Sequence, residues 1–482
     1  MGLIGIFAGL GLLIWLAFRG WSVLLLAPAA ALVAAAAARE PLLAHWTQTF
    51  MGGAAGFLAQ FFPLFLLGAL FGKLMDDSGS VQAIARFMTE RLGSHRAILA
   101  VVLAGAMVTY GGVSLFVAFF VLAPMAQSLF LAADIPRRLM PAAITLGTST
   151  FTMSALPGTP AIQNAIPMPF FGTTPFAAPG LGVIASLIIL GFGMWWLLRA
   201  QAAASRAGEG YGASHAPGPQ VSDEYVRERA TAAREFDPAE MQRGQHSEST
   251  PPITLAVLPL AVVIAVNLLM SLIVLPRLDL SFLAEQNWGG TSLSAVGGVW
   301  SVVTALAAAV GTVVIVNRSR LSALRQSMDA GANASVLPAL SVGSLVGFGA
   351  VVAALPGFAF VKDWVLGIGG SPLVSLAVAT NVLAALTGSA SGGMTIALDA
   401  LGPTYMQLAA EANIDPALLH RVAAMAAGTL DSLPHNGAVV SLLAVCRLTH
   451  RDSYRDIVMV GIIGALLALL VVIVLGSAIG SF

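Results

Sequence analysis

Leu386-Thr387-Gly388-Ser389-Ala390-Ser391-Gly392-Gly393 lies in the middle of an otherwise apolar run, residues 372–402. Glycines and small hydroxyl side chains at that density do not suit the centre of a lipid-facing helix. Glycine favours turns, and Ser and Thr offer the backbone competing hydrogen bonds. The run therefore reads as two helical limbs joined by a tip, a hairpin that enters and leaves by one face of a membrane.

Composition makes the membrane the right solvent. Of 482 residues, 57% are hydrophobic and only 10% are charged, against about 25% charged in soluble domains; mean hydropathy is +0.87. Apolar segments recur at 3–18, 21–38, 53–72, 97–131, 138–168, 180–199, 253–275, 292–316, 334–358, 372–402, 417–446 and 457–480. Many are long enough to span a hydrocarbon core about 30 Å thick. A formal net charge of zero gives no basic footprint for nucleic acid. The single cysteine, Cys446, precludes an internal disulfide or a cysteine-based metal site. The seven histidines show no metal-ligand spacing, so neither metal nor cofactor is expected. Met1 leads into apolar sequence without a basic region, so a cleaved leader is not expected.

Lys and Arg fix the orientation, because they stay on the cytoplasmic side. The polar stretch 201–252, with Arg206, Arg227, Arg229, Arg234 and Arg243, reads as a cytoplasmic flexible linker. Between it and the Arg447, Arg451 and Arg455 cluster, parity closes only if either 372–402 or 417–446 enters and leaves by one face, and 372–402, with its Gly- and Ser-rich middle, is the better candidate. In the first half, Lys73, Arg86, Arg91 and Arg96 precede 97–131, while Arg137 and Arg138 follow it. That segment is then a second hairpin, with its tip near Thr109-Tyr110-Gly111-Gly112. The arrangement leaves only Arg39, Arg277, Lys362 and Arg421 of the 23 basic residues outside. It predicts an all-α polytopic membrane protein with about ten crossings, two re-entrant hairpins and both termini outside.

Each half then holds three crossings, a hairpin and two more crossings. An odd number of crossings inverts the second half relative to the first. Gly111-Gly112, Pro136 and Pro157 have counterparts in Gly392-Gly393, Pro416 and Pro434. The expectation is a first membrane repeat over 1–200, the linker over 201–252 and a second, inverted-topology repeat over 253–482. Inverted repeats with discontinuous helices are a signature of secondary transporters that bind substrate near the midplane.

Four polar, broken stretches fall at membrane depth: 109–114, 148–164, 387–395 and 429–436. Irregular backbone is tolerated there only when buried in protein or lining a cavity. Restarting helices point free N–H groups and a positive dipole end at such a cavity, which suits a carboxylate. The candidate substrate-binding residues are Thr109, Gly111, Gly112, Ser114, Thr152, Ser154, Thr159, Asn164, Ser389, Ser391, Gly392, Gly393, Thr395, Ser432 and Asn436. Two plainer readings stand beside this: the hydroxyls patch carbonyls freed at Pro157 and Pro160, and the glycines serve close helix packing. Packing is the preferred reading for Gly5/Gly9 and Gly68/Gly72. Asp431 and His435, at i and i+4, share a face if the helix persists and are the candidate proton-coupling pair; the plainer reading is an Asp–His pair locking a kink. Asp399 lies nearer a hairpin end. Arg137 and Arg138 read as interface anchors, and His215 and His246 as solvated linker residues.

Leu430-Asp431-Ser432-Leu433-Pro434-His435-Asn436-Gly437-Ala438-Val439-Val440, Thr387-Gly388-Ser389-Ala390-Ser391-Gly392-Gly393 and Ala155-Leu156-Pro157-Gly158-Thr159-Pro160 resemble the gluconate:proton symporter family (GntP type) over essentially the whole chain except the linker. That resemblance implies a proton-coupled carrier of a small hydroxycarboxylate, such as gluconate or D-3-hydroxybutyrate, in the bacterial inner membrane. It also implies a homodimeric elevator in which 3–72 and 253–358 form mainly scaffold and the hairpins and broken spans move. The chain lacks the Ser-Asn-Thr tripeptide of sodium-coupled dicarboxylate carriers, and its scarcity of membrane-depth Asn, Gln and charge hints at a substrate smaller than gluconate. A passive anion channel or uniporter, a sodium-coupled carrier and an integral-membrane enzyme are the alternatives. The last would need a catalytic constellation beyond Asp431 and His435.

Overall fold

The structure, a computed structural model, describes residues 2–19, 21–213, 243–368, 371–434 and 436–482. Among these, every regular element is a helix. In hydrocarbon each backbone N–H and C=O must be satisfied within its own segment, so apolar runs of this length fold as helices. Leu42–Asp77, Leu115–Ala132, Pro179–Arg206, Ile253–Arg277, Leu293–Val316, Leu324–Ala354 and His450–Ile479 are each long and apolar enough to cross a bilayer. Ser80–Leu92 and Ser94–Tyr110 meet at a 103° bend and together satisfy the same test. The charge argument's count of ten draws further on Gly2–Phe18, Val23–Ala38 and the broken spans, whose pieces are individually short.

At both expected tips two helices are joined by a short turn. The first joins Ala97–Tyr110 to Leu115–Ala132 through a turn at 111–114, where Gly112 takes φ +98°. The second joins Pro372–Thr387 to Ala390–Glu411 through Gly388 (φ +65°) and Ser389. Its limbs touch at Gly393, where a Cβ would lie 2.3 Å from the Ala384 nitrogen. Only glycine permits that approach.

Each hairpin is followed by a discontinuous span. The first consists of Met140–Thr148, Phe151–Ser154, Ile162–Ala165 and Pro167–Phe171, with Pro157 and Pro160 in the gap. The second is Pro416–Thr429, then non-helical 430–434 and 436, then Gly437–Val445. The helix ends at Thr429, before Asp431. His435 itself lies outside the described residues, as does His215.

The helices sort into two packing groups. Gly2–Phe18 and Val23–Ala38 pack on each other through small residues: a Cβ on Gly9 would lie 2.6 Å from the Ala30 carbonyl. With Leu42–Asp77, Ile253–Arg277, Leu293–Val316 and Leu324–Ala354 they form one group. The hairpins, the broken spans, Pro179–Arg206 and His450–Ile479 form the other. The two groups face each other across the cavity described next. Gly68 and Gly72 depart from the packing expectation. A Cβ on Gly68 would meet nothing within 4 Å, and one on Gly72 would touch the Ser114 nitrogen at an ordinary 3.5 Å.

Candidate functional site

Three of the four polar breaks line one cavity of about 250 Å³, and the helix that follows the fourth reaches it at Gly437. Thr109, Gly112 and Ser114 come from the first hairpin tip, and Met153 and 160–163 from the first broken span. The second tip contributes 386–389 and Ser391, and Gly437 opens the helix after the second break. The facing wall is built from Leu42–Asp77 (Leu64, Phe65, Gly68, Ala69, Lys73) and from 334–345. The N-terminal residues of Leu115–Ala132, Ala390–Glu411 and Gly437–Val445 thus border the cavity, each a positive dipole end. The C-terminal ends of Ala97–Tyr110 and Pro372–Thr387 also border it, at Thr109 and Thr387. The environment is mixed in dipole sign.

Of the predicted binding residues, Thr109, Gly112, Ser114, Ser389 and Ser391 line the cavity. The others serve the walls. The Thr109 hydroxyl bonds back to the Gly105 carbonyl at 2.9 Å and across to Thr152 Oγ1 at 3.2 Å, tying the first tip to the first broken span. Thr152 and Ser154 donate to the carbonyls of Thr148 and Thr150, satisfying acceptors beside the break. Thr395 likewise donates to the Ser391 carbonyl. Gly111 faces Leu260 and Gly392 faces Leu345, where a Cβ would come within 2.2 and 2.4 Å. Ser432 packs against Gly461 and its carbonyl accepts from Tyr454. Asp399 is exposed and lies away from the cavity.

Asp431 and Asn436 form a joint behind the second tip. Asp431 Oδ1 accepts from the Ala390 backbone N–H at 3.0 Å and from Asn436 Nδ2 at 2.6 Å. Asn436 Nδ2 also donates to the Gly388 carbonyl at 3.0 Å, and its Oδ1 accepts from the Ala438 N–H at 2.8 Å. One carboxylate and one amide therefore cap two helix N-termini and hold the tip against the break.

A second buried hub was not read from the sequence. Arg421, counted among the outside charges, is instead fully buried. Its guanidinium donates to the Ala177 carbonyl (2.7 and 3.2 Å), the Ser154 carbonyl (3.2 Å) and Asn164 Oδ1 (3.3 Å). His420 bonds Asn164 Oδ1 through Nε2 at 3.2 Å and Thr173 through Nδ1 at 2.6 Å. Since Asn164 Oδ1 can only accept, Nε2 carries a proton. Asn164 Nδ2 donates to the carbonyls of Thr159 and Pro175, and Thr159 Oγ1 accepts from the Ala161 N–H. Asn164 and Thr159 thus brace the first break.

Lys73 was read as a topology marker and is in fact a cavity wall residue. It is 5% exposed and its ammonium lies 2.9 Å from Asp77 Oδ1. His246, read as solvated, reaches the same carboxylate: Nδ1 lies 3.0 Å from Asp77 Oδ1 and 3.8 Å from Asp76. The Ser247 N–H donates to the Asp77 carbonyl, so this part of the linker is docked. The hydrogen bond to Asp77 raises the His246 pKa above the ordinary 6.5. A raised histidine contributes its stabilisation fully below the unfolded value and loses it as pH climbs through the folded value. Thermal unfolding should therefore separate wild type from His246→Gln at pH 5.5 and bring the two together by pH 8.5. An equal difference at both values would show that the charge contributes nothing.

Arg138 also has more to do than anchor an interface. It pairs with Glu209 (2.8 Å) and Asp456 (2.7 Å), joining the start of the first broken span to the ends of Pro179–Arg206 and His450–Ile479.

Residues 1–169 match the sequence profile of the GntP family permease. Over 467 residues the chain is 42% identical to Bacillus subtilis (strain 168) YxjC, described as an uncharacterized transporter, covering 95% of each. Neisseria gonorrhoeae MtrF, of a class of antimetabolite efflux pumps, is similar in structure with a TM-score of 0.51 at 15% identity. The alignment covers 91% of this chain and 85% of MtrF, and the likeness concerns the fold. The Alcanivorax borkumensis YdaH transporter gives a TM-score of 0.47 at 14% identity, covering 90% of this chain and 88% of that one. Multiple apolar spans, helix pairs and discontinuous helices meeting at one cavity, and 42% identity to a transporter along nearly the whole chain together identify it as a membrane transporter of the GntP permease family.

Proposed function

We propose that the protein is a proton-coupled symporter of a small organic hydroxycarboxylate in the bacterial inner membrane, built as two inverted repeats over 1–200 and 253–482. The observation that carries this reading is the cavity itself. Three helix N-termini and one lysine border it, with hydroxyls and an amide beside them, and no acidic side chain stands among its described lining residues. Positive dipole ends and an ammonium favour a carboxylate, while Ser114, Ser389, Ser391 and Gln163 can read hydroxyls. The hairpin and broken-span group then moves against the group that contains Leu42–Asp77, in the manner of an elevator, and a homodimer supplies the fixed frame. Asp431, at the joint of the second tip, carries the coupled proton.

Uptake into proteoliposomes of labelled 3-hydroxybutyrate and gluconate tests the reading. An inward proton gradient should drive accumulation above equilibrium for at least one of them. Flux that only dissipates a gradient of the acid identifies a channel or uniporter. Accumulation that follows sodium instead removes the proton from the mechanism.

A further inference from the structure

We infer that Lys73 is the seat of the substrate's carboxylate and that Asp77 is the counter-ion holding its ammonium between substrates. The inference rests on the reading of the cargo as an organic anion and deepens it.

Lys73 is the one ionisable side chain among the described lining residues. Its neighbours there are Leu64, Phe65 and Val113, so a carboxylate beside it meets an ammonium in a poorly solvated place, where the attraction is stronger than in water. Asp77 lies at i+4, toward the C-terminal end of Leu42–Asp77, and the ammonium now points that way. Side chains on a helix more readily cover the turn N-terminal to their own Cα. For Lys73 that turn carries Ala69 and Gly68, both cavity residues, and beyond the helix's own neighbouring backbone nothing lies within 4 Å of where a Gly68 Cβ would be. A rotamer change at Lys73 therefore swings the ammonium from Asp77 into open cavity.

Asp77 is not stranded when this happens. His246 Nδ1 remains 3.0 Å from the same carboxylate oxygen, which avoids the penalty of an unpaired buried charge. The linker thus supplies a second partner for the Asp77 carboxylate, which leaves the Lys73 ammonium able to move. An independent feature points to the same class of ligand. Gln163 is 8% exposed and lines the cavity, yet its Oε1 meets no hydrogen-bond partner among the described residues. A buried acceptor left in that state is suited to a hydroxyl donor. A carboxylate at Lys73 and a hydroxyl at Gln163 describe a hydroxy acid.

The test is calorimetric binding, to the full chain in detergent, of hydroxymonocarboxylates from 3-hydroxybutyrate to gluconate, each against its uncharged amide. Wild type should prefer acid to amide. Lys73→Gln/Asp77→Asn keeps size and a hydrogen bond while removing both buried charges. It should elute as a single species and bind acid no better than amide, a loss of roughly 10- to 100-fold, the size of a charge-assisted hydrogen bond. Wild-type acid affinity in that variant overturns the assignment. Should the neutral pair fail to fold, Asp77→Asn alone decides: with the Lys73 ammonium retained it must keep the acid-over-amide preference, and its loss overturns the assignment. Wild type that binds none of the acids refutes the organic-anion reading itself, a separate failure from Lys73 proving silent.

Discussion

Arg421→Met should cost the protein roughly 3–6 kcal/mol and leave little monodisperse material in detergent, because it orphans buried acceptors at about 1–3 kcal/mol each. Arg421 is among the largest fully buried side chains, and among the described residues no carboxylate pairs with it. Its charge is met by the carbonyls of Ser154 and Ala177, which close the two sides of the first broken span, and by Asn164. Methionine matches much of the volume and none of the hydrogen bonds. Lysine carries the charge on a point donor that cannot span both carbonyls, so Arg421→Lys should recover only part of the stability. Thermal unfolding measures the series. A methionine variant with the wild-type midpoint would show that the break holds itself together and that Arg421 is a passenger.

Asp431→Asn should reduce proton-driven accumulation to the equilibrium distribution while expression and thermal midpoint stay close to wild type. Asparagine Oδ1 can still accept from the Ala390 N–H and from Asn436, so the joint at the second tip keeps its geometry. What it loses is a group able to bind and release a proton beside a hairpin tip that borders the cavity. Asp431→Leu separates the roles. It removes the acceptor as well, leaves the Ala390 N–H at a helix N-terminus unsatisfied, and should lose about 1–3 kcal/mol of stability in addition to coupling. If Asp431→Asn accumulates substrate as wild type does, Asp431 is a staple for the tip and the proton travels by another group.

Sequence reading succeeded where one local property decided the outcome. Leu386 to Gly393 cannot continue an apolar helix, and the distribution of Lys and Arg demands that such a run turn back; the hairpin at Gly388 and Ser389 follows. Pro157 and Pro160 likewise announce the first break. It failed where residue type pointed one way and surroundings another. Arg421 counts in the charge argument as an outside residue, although it falls within the apolar segment 417–446, where a charge is itself a sign of a buried role; Lys73 follows directly on 53–72 and counts as an inside charge. His246 belonged to a polar linker and gave no local sign that it would meet Asp77.

The sequence by itself determined the solvent, the helical class, the sites of chain reversal and the polar breaks, because each depends on a run of neighbouring residues and the energy of placing that run in hydrocarbon. Only the tertiary structure decided which polar groups face the cavity. Thr152 and Ser154 carry the same hydroxyl as Ser114 and Ser391, and Asn164 an amide that could equally read a ligand, yet their hydrogen bonds go to carbonyls of the breaks. Ser114 and Ser391 face the opening, and so does Lys73 from a helix that precedes every break. Whether a hydroxyl serves a wall or a ligand depends on which carbonyl comes within about 3 Å of it, and those carbonyls are brought there by helices distant in the chain.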